Sequence, residues 1–466
     1  MNLYKKLFNN LMVFGLGNMG SKIISFILVP LYTYYLSQKE YGSVDLVMVT
    51  VNMVLPIVTA CAHEAVLRFA IDESDSEWVL SNTLTITVVG YFVLLLIYPI
   101  LNYFNFLEDN LLYLYIILLV QMINQLFTQF TRGIGKVRIF AINGVLITLL
   151  TGLLNILFLA ILNLGLYGYF ISITLAYIFS TVFIFITVKP FKYIKINNLS
   201  FIRIKEILAY SIPLIPNYLM WWIINSSSRY IINWFVGIAA NGIFAVASKI
   251  PSLISIISSV FTQAWQLSVF ESYEREKKSK FYSKIFNIYV SILLLFDSLI
   301  LIFLKPTFSI FFSESFYTAW QPVPFLLLGS VFSALSSFLG VAYTASKETK
   351  GVFRTSMIGG GFSIILNIIL IPLFGIIGAG VSSMIGFFVM FFVRYVDTKD
   401  ILSFNIDWNK FLLTLVLIIL QTVILFIDIN DYIALTILVS LFLVNLIINR
   451  NIFEIISFIE KNFIRK

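Results

Sequence analysis

Charged residues, cysteine and histidine are all scarce in this chain. Of its 466 residues 12% are charged and 60% are hydrophobic, whereas a soluble domain has about 25% charged and roughly 45–50% apolar residues. The one cysteine, Cys61, excludes an intramolecular disulfide and a cysteine metal site, and neither a metal nor a cofactor is expected. The composition excludes a soluble protein, and no segment is polar enough to form a nucleic-acid-binding module.

Apolar segments of about 20 residues recur along the whole chain. Such segments are typical of transmembrane helices, because a helix satisfies its own backbone hydrogen bonds in lipid. The sequence therefore predicts an all-α polytopic membrane protein with about 14 transmembrane helices. The predicted spans are 13–35, 42–67, 82–101, 111–130, 141–162, 168–188, 209–235, 242–269, 284–304, 322–344, 354–373, 376–395, 410–427 and 432–449.

The 31 lysines and arginines are distributed unevenly over the segments that join these spans. With the N-terminus inside, 26 fall on the cytoplasmic side and only Lys39 and Lys305 on the outer side. This positive-inside pattern predicts that both termini are cytoplasmic and that the number of spans is even. No outer segment is large enough to be a catalytic domain, so an enzyme is not expected.

Two short patterns recur with six spans between their copies. Tyr41-Gly42 opens the second span and Asn241-Gly242 the eighth, while the Leu-Asn-Ile and Gly-x-x-Gly pattern of 154–168 recurs at 366–378. Because six is even, both copies have the same orientation, which predicts lobes related by an axis along the membrane normal with a cavity between them. The predicted lobes are 1–190 and 206–396, and 408–449 forms two additional helices.

Three cations lie at membrane depth in the predicted spans: Lys22, Arg229 and Lys249. Each costs roughly 2.5–3.5 kcal/mol there unless it faces water or a partner. In a water-filled chamber they suit a diphosphate, since arginine offers a fork of donors and lysine a point charge. The alternative is that Asp297 neutralises Arg229 and that Lys249 extends outward to the membrane surface.

Two further features have competing interpretations. Glu64 is four residues before Arg68, which favours a local ion pair, whereas a coupling role with His63 is the alternative. Asp297 is likewise a candidate for an ion pair or for protonation during transport. The Gly-x-Gly-x-x-Gly pattern of 15–20 follows no strand, so close helix packing is preferred to a dinucleotide site.

Several motifs resemble the polysaccharide or O-antigen flippases of the Wzx type. They are the segment 35–42 (Tyr-Leu-Ser-Gln-Lys-Glu-Tyr-Gly), Ala65-x-x-Arg68-Phe69, Gly133-x-Gly135-Lys136, Ser211-x-Pro213-x-x-Pro216, Gly237-x-x-x-x-Gly242-x-Phe244-x-x-Ala247-x-Lys249 and Ala264-Trp265. The resemblance covers about residues 10–395.

This resemblance implies the fold of the multidrug, oligosaccharidyl-lipid and polysaccharide exporter superfamily. It also implies translocation of undecaprenyl-diphosphate-linked oligosaccharide to the outer leaflet of a bacterial inner membrane. Its implied partners are the lipid-linked oligosaccharide, membrane lipid, and a glycan polymerase or chain-length regulator. The alternatives are a lipid II flippase, a cation-coupled multidrug antiporter and a membrane glycan polymerase.

Overall fold

A computed structural model describes residues 24–70, 76–270, 279–346, 350–402 and 405–450, and within these ranges the regular elements are helical. In chain order the helices are α1 Ile24–Tyr35, α2 Gln38–Val58, α3 Ala62–Phe69, α4 Ser76–Tyr103, α5 Leu111–Gly133, α6 Val137–Asn155, α7 Gly165–Val188, α8 Phe201–Ser211, α9 Ile215–Phe235, α10 Ile238–Ala247, α11 Ser252–Phe270, α12 Ser279–Phe311, α13 Val323–Ala345, α14 Lys350–Leu402, α15 Trp408–Phe426 and α16 Asp431–Ile448.

Eleven helical stretches of the described residues are long and apolar enough to cross a membrane, and the bent pair α10 and α11 makes a twelfth. The predicted all-α membrane fold is confirmed. The count of fourteen spans stays a prediction, since only residues 24–35 of the first span are described. The stretch labelled α14 is interrupted at the non-helical Gly375, where two predicted spans meet.

The second predicted span, 42–67, is broken into α2 and α3. Pro56 removes a backbone donor near the end of α2, and Ala60 and Cys61 adopt left-handed conformations with φ of 47° and 53°. Few residues other than glycine adopt this conformation, so the break is a built feature of the backbone. It places His63 and Glu64 at the start of a new helix.

The second repeated pattern has the same local geometry in both copies. Gly165 and Gly375 both have positive φ, 53° and 56°, which glycine adopts without steric cost. Three residues later, the carbonyls of Gly168 and Gly378 each accept a 2.7 Å hydrogen bond from a serine one turn on. The likeness supports the repeat. In α14 the helical conformation is interrupted at Gly375, and the chain reverses there, so that Gly359 and Gly386 lie at backbone contact.

By their contacts the described residues fall into two compact units, one within Gly17–Ala245 and one within Val246–Lys466. We call them the N-terminal and C-terminal units. The N-terminal unit has a core of apolar side chains from α2, α5 and α7 that includes Val47, Val51, Leu118 and Phe170. The lobes predicted at 1–190 and 206–396, with the pair 408–449, stay a prediction, because contacts group helices by packing and not by repeat.

Candidate functional site

Arg229 and Asp45 form an ion pair inside the N-terminal unit. Nε of Arg229, on α9, lies 3.5 Å from Oδ2 of Asp45, on α2, and the two side chains are 13% and 14% exposed. Nη1 of Arg229 donates a 3.2 Å hydrogen bond to the carbonyl of Asn225 on its own helix. The guanidinium also lies over the ring of Phe244, 4.9 Å from its centroid, in a cation–π contact.

Asp45 does not saturate the donors of Arg229. A separation of 3.5 Å is too long for a good charge-assisted hydrogen bond, which is about 2.7–2.9 Å. Among the described residues Nε of Arg229 has no hydrogen-bond acceptor. The guanidinium therefore keeps donors that an anion of suitable geometry could use.

Asn241 joins the start of α10 to the same pair of helices. Its amide Nδ2 donates a 3.0 Å hydrogen bond to the carbonyl of Gly42 and lies 3.5 Å from Oδ2 of Asp45. Asn241 is fully buried. It fixes the beginning of α10 against α2 beside the carboxylate that faces Arg229.

Two glycines let α2 and α10 cross at backbone contact. A Cβ added to Gly42 would lie 2.0 Å from the carbonyl oxygen of Ile238, and one added to Gly242 would lie 2.0 Å from that of Gln38. No side chain fits at these distances. The contact is reciprocal, because each glycine meets the backbone of the other helix. This matches the recurrence of Tyr41-Gly42 as Asn241-Gly242.

The motif at 35–42 also has a structural role at the start of α2. Ser37 caps the helix by accepting from the Glu40 N–H at 3.2 Å, and the Glu40 carboxylate accepts from the Ser37 N–H at 2.8 Å, which forms a capping box. The Glu40 carboxylate also lies 3.4 Å from the N–H of Leu166. These contacts fix the helix end that carries Asp45.

The predicted alternative partner of Arg229 is wrong. Asp45 supplies the carboxylate, whereas Asp297 is fully buried in α12 of the C-terminal unit. Neither carboxylate oxygen of Asp297 has a hydrogen-bond partner among the described residues. Its neighbour Ser298 donates to Gln421 of α15 at 2.7 Å. An ion pair is therefore excluded as the reason for Asp297 within this part of the chain.

Glu64 also has a different partner from the one predicted. The hydroxyl of Tyr218, on α9, donates to Oε1 of Glu64 at 2.5 Å, and Nε2 of His63 lies 3.7 Å from the same oxygen. Within the described residues these contacts replace the predicted ion pair with Arg68. They link α3 to α9 in the N-terminal unit.

The other two predicted cations are not brought to this site by the described contacts. Lys22 and the glycine pattern of 15–20 lie outside the described residues. Lys249 is half-buried at the bend between α10 and α11, where its carbonyl accepts from the Ser252 hydroxyl. The common chamber for the three cations stays a prediction.

Asp45, Asn241 and Phe244 were missed as site residues by the sequence reasoning. A signal for Asp45 was present, because a carboxylate inside the span 42–67 has the same insertion cost as the cations. Phe244 belongs to the motif that begins at Gly237, but a phenylalanine in an apolar helix gives no sign that it lies under a cation.

A second buried arginine was also missed. Arg394 is 1% exposed and donates to the Thr355 hydroxyl at 2.8 Å, the Ser336 carbonyl at 2.9 Å and the Ser356 hydroxyl at 2.8 Å. It lies near the end of the predicted span 376–395. It joins α13 to both halves of α14, which is a structural role.

Comparison with known proteins gives the family and the fold. A sequence model described as polysaccharide biosynthesis protein matches residues 7–266, more than half of the chain. No curated protein sequence is significantly similar to the chain.

Solved transporters have similar structures at low identity. An inward-facing multidrug resistance MATE family transporter of the MOP superfamily aligns with a TM-score of 0.69 and 16% identity, covering 82% of this chain and 94% of its own. The lipid II flippase MurJ in an inward closed conformation aligns with a TM-score of 0.67 and 15% identity, covering 95% and 100%. A mutant of the Vibrio cholerae MATE transporter VcmN gives 0.59 and 14%, covering 86% and 97%. At these identities the likeness shows the fold.

Proposed function

We propose that this chain, which belongs to the polysaccharide biosynthesis protein family, moves a lipid-linked oligosaccharide from the inner to the outer leaflet of a bacterial inner membrane. The lipid carrier is undecaprenyl diphosphate, and the protein works by alternating access with both termini in the cytoplasm. The observation that carries the proposal is the family match on a chain whose fold is that of transporters.

Arg229 is the residue we propose to bind the diphosphate. Its guanidinium presents a planar fork that matches phosphate oxygens, and Asp45 occupies that fork through one long contact. The diphosphate, with two negative charges, would replace Asp45 beside the guanidinium, so Arg229 alone would not neutralise it. Lys22 and Lys249 are proposed as further cations for the same group.

Glu64 and Asp297 are proposed as coupling residues. Glu64 is 31% exposed beside buried His63, and so has access to water, whereas Asp297 is fully buried and its carboxylate has no hydrogen-bond partner among the described residues. A proton gained or lost at either residue changes the charge inside the protein and would bias one access state over the other.

A lipid II flippase is the second candidate function. The alignment with MurJ extends over 95% of this chain and favours it more than a multidrug antiporter, whose site should hold cations. A membrane glycan polymerase is the third candidate and needs a catalytic group, which neither the family nor the fold supplies.

Deletion of the gene tests the proposed function. We expect lipid-linked oligosaccharide to accumulate on the inner leaflet and surface glycan to be lost, because no other route carries a diphosphate head group through lipid. The measurement is the lipid-linked pool by mass spectrometry, with its leaflet read by a membrane-impermeant glycosidase. Accumulation of lipid II would support the second candidate. Normal surface glycan, in a host without a paralogue, would refute the proposal.

A further inference from the structure

The N-terminal unit contains a cavity of about 720 Å³ between the start of α2, the segment that joins α4 to α5, and the end of α9. We call it the loop cavity. We propose that it binds the saccharide part of the substrate, an inference that rests on the proposed function. The lining side chains that carry the argument are Phe104, Asn105, Glu108, Tyr230, Asn233 and Trp234.

The lining combines exposed aromatic rings with amide and carboxylate groups. Trp234 is 83% exposed and Phe104 is 74% exposed, so both rings are accessible at the rim. A sugar ring presents an apolar C–H face, which packs on an aromatic ring, and an edge of hydroxyls, which need donors and acceptors. Asn105, Glu108 and Asn233 supply those groups around the same cavity.

The charge of the lining excludes the diphosphate as its ligand. Glu108 is the one charged side chain among the lining residues, and it is an anion. A carboxylate repels phosphate but accepts hydrogen bonds from sugar hydroxyls. The volume falls in the range of about 300–1,000 Å³ typical of small-molecule sites.

A second cavity of about 530 Å³ in the same unit has an apolar lining. It runs along α8 and is lined by apolar side chains such as Phe201, Ile204 and Leu208, with Lys205 as its charged residue. Amides and carboxylates are absent from its lining. The polar lining of the loop cavity is therefore not a general property of the cavities in this unit.

The loop cavity is built on the same two helices as the Arg229 and Asp45 pair. Tyr230 follows Arg229 on α9, and its hydroxyl is 2.5 Å from that of Thr50 on α2. In a lipid-linked oligosaccharide the first sugar is attached directly to the diphosphate. The ion pair of Arg229 and Asp45 and the loop cavity occupy neighbouring positions on α2 and α9. This arrangement matches the order of the diphosphate and the first sugar in the substrate.

The loop that forms part of the rim has an unusual backbone conformation. Asn105, Leu107 and Glu108 have positive φ of 51°, 63° and 51°, and the N–H of Phe106 donates to the carbonyl of Leu101 at 3.0 Å. Non-glycine residues keep this backbone only where the surroundings fix it. Trp234 is stacked on Phe235, with ring centroids 5.8 Å apart.

Binding to the purified full-length protein tests the inference. The probe is the repeat-unit oligosaccharide released by mild acid from the lipid-linked pool of the host, measured by calorimetry and saturation-transfer NMR. We expect Trp234→Ala to weaken binding by about tenfold or more. The matched control is Tyr432→Ala, an aromatic that is also 83% exposed but lies outside the loop cavity, and we expect it to bind as wild type.

Two competitor probes separate the ligand classes. Inorganic pyrophosphate and oleate should not displace the oligosaccharide, and displacement by either would mean that the cavity is an anion or a lipid site. Absence of oligosaccharide binding, or equal binding by Trp234→Ala and wild type, would also overturn the inference.

The deletion experiment keeps the two proposals distinguishable. If deletion abolishes surface glycan while Trp234→Ala binds the oligosaccharide normally, the loop cavity inference fails and the proposed function stands. If surface glycan is normal after deletion, the proposed function fails whatever the binding result.

Discussion

At the scale of single residues, the central feature is Arg229, whose counter-ion Asp45 lies farther away than in a close ion pair. Arg229 pairs with Asp45 at 3.5 Å, contacts Phe244 and retains an Nε without an acceptor among the described residues. A purely structural pair at this burial would be expected to have closer geometry, because poor contacts do not offset the cost of desolvation. The observed pair suits a counter-ion that is exchanged during transport.

A double-mutant cycle over Arg229 and Asp45 separates the two roles. If Arg229 binds diphosphate, Arg229→Ala and the double Ala variant should both lose transport, and Arg229→Lys should lose about tenfold or more because lysine lacks the fork. Asp45→Ala alone should keep part of the transport activity, since Arg229 is still present. The measurement is surface glycan at equal protein level.

The exposed pair Arg203 and Glu206 provides the control for this cycle. Its members are about 45% exposed, and Glu206→Ala removes the pair while it leaves Arg203 on the Trp78 ring, so this change should be nearly neutral. Recovery of transport in the Arg229→Ala, Asp45→Ala double variant would show that the pair is structural and would refute the binding role.

Asp297 gives a prediction about stability. Its carboxyl is fully buried and has no hydrogen-bond partner among the described residues, so a substitution that keeps its shape removes no observed interaction. Asp297→Asn, which is neutral and of the same shape, should leave the thermal midpoint of the detergent-purified protein nearly unchanged. A fall of the midpoint by several degrees, which no other neutral residue at position 297 reverses, would indicate that an ionised carboxylate has a stabilising partner.

The sequence predicts which charged residues lie in apolar spans better than it predicts their partners. The insertion cost marks Arg229 and Asp297, because a charge in an apolar span is visible in the sequence alone. The partners of Arg229 and Glu64 lie more than 150 residues away in the chain, and the packing that brings them together is not encoded locally. Asp45 and Tyr218 were for this reason not recognised as partners of Arg229 and Glu64.

At the scale of helices, the crossing of α2 and α10 depends on two glycines. On the predicted topology α2 and α10 cross at their outer ends. The two helices would have to separate there for substrate to leave. A methyl group at either Gly42 or Gly242 would meet a backbone carbonyl at 2.0 Å, so the helices must move apart.

We expect Gly242→Ala and Gly42→Ala each to lower stability by about 1–3 kcal/mol, which thermal unfolding of the purified protein would measure as a lower midpoint. Gly144→Ala is the matched control, because a Cβ at this helical position has nothing within 4 Å. It should be neutral or slightly stabilising. Equal midpoints for Gly242→Ala and Gly144→Ala would contradict the close crossing.

Helices were predicted well where apolar length decides them, and poorly where the backbone breaks. The spans 111–130 and 168–188 correspond to α5 and α7 with small shifts at their ends. The break at Ala60 and Cys61 was not predicted, because neither residue has the glycine signature of a left-handed position. The predicted boundary between the spans 354–373 and 376–395 corresponds to the non-helical Gly375, where the chain reverses and brings Arg394 back to Thr355.

At the scale of the whole molecule, composition and charge predicted the class of protein, and the motifs predicted its family. The family match and the transporter fold confirm both. On the proposed saccharide site, the glycan would be selected by lining residues such as Asn233 and Trp234, whose types are common in any membrane protein. Only their placement around one cavity indicates a ligand, and that placement requires the structure.

The most direct test of the central claim is translocation by the purified protein in vesicles. Liposomes would contain lipid-linked oligosaccharide from the host, and a membrane-impermeant glycosidase added outside would report the accessible share. We expect wild-type vesicles to make the whole pool accessible, and Arg229→Ala vesicles to resemble those without protein, in which the inner-leaflet share stays protected. An inner-leaflet share that stays protected in wild-type vesicles would contradict transport of this lipid by the protein.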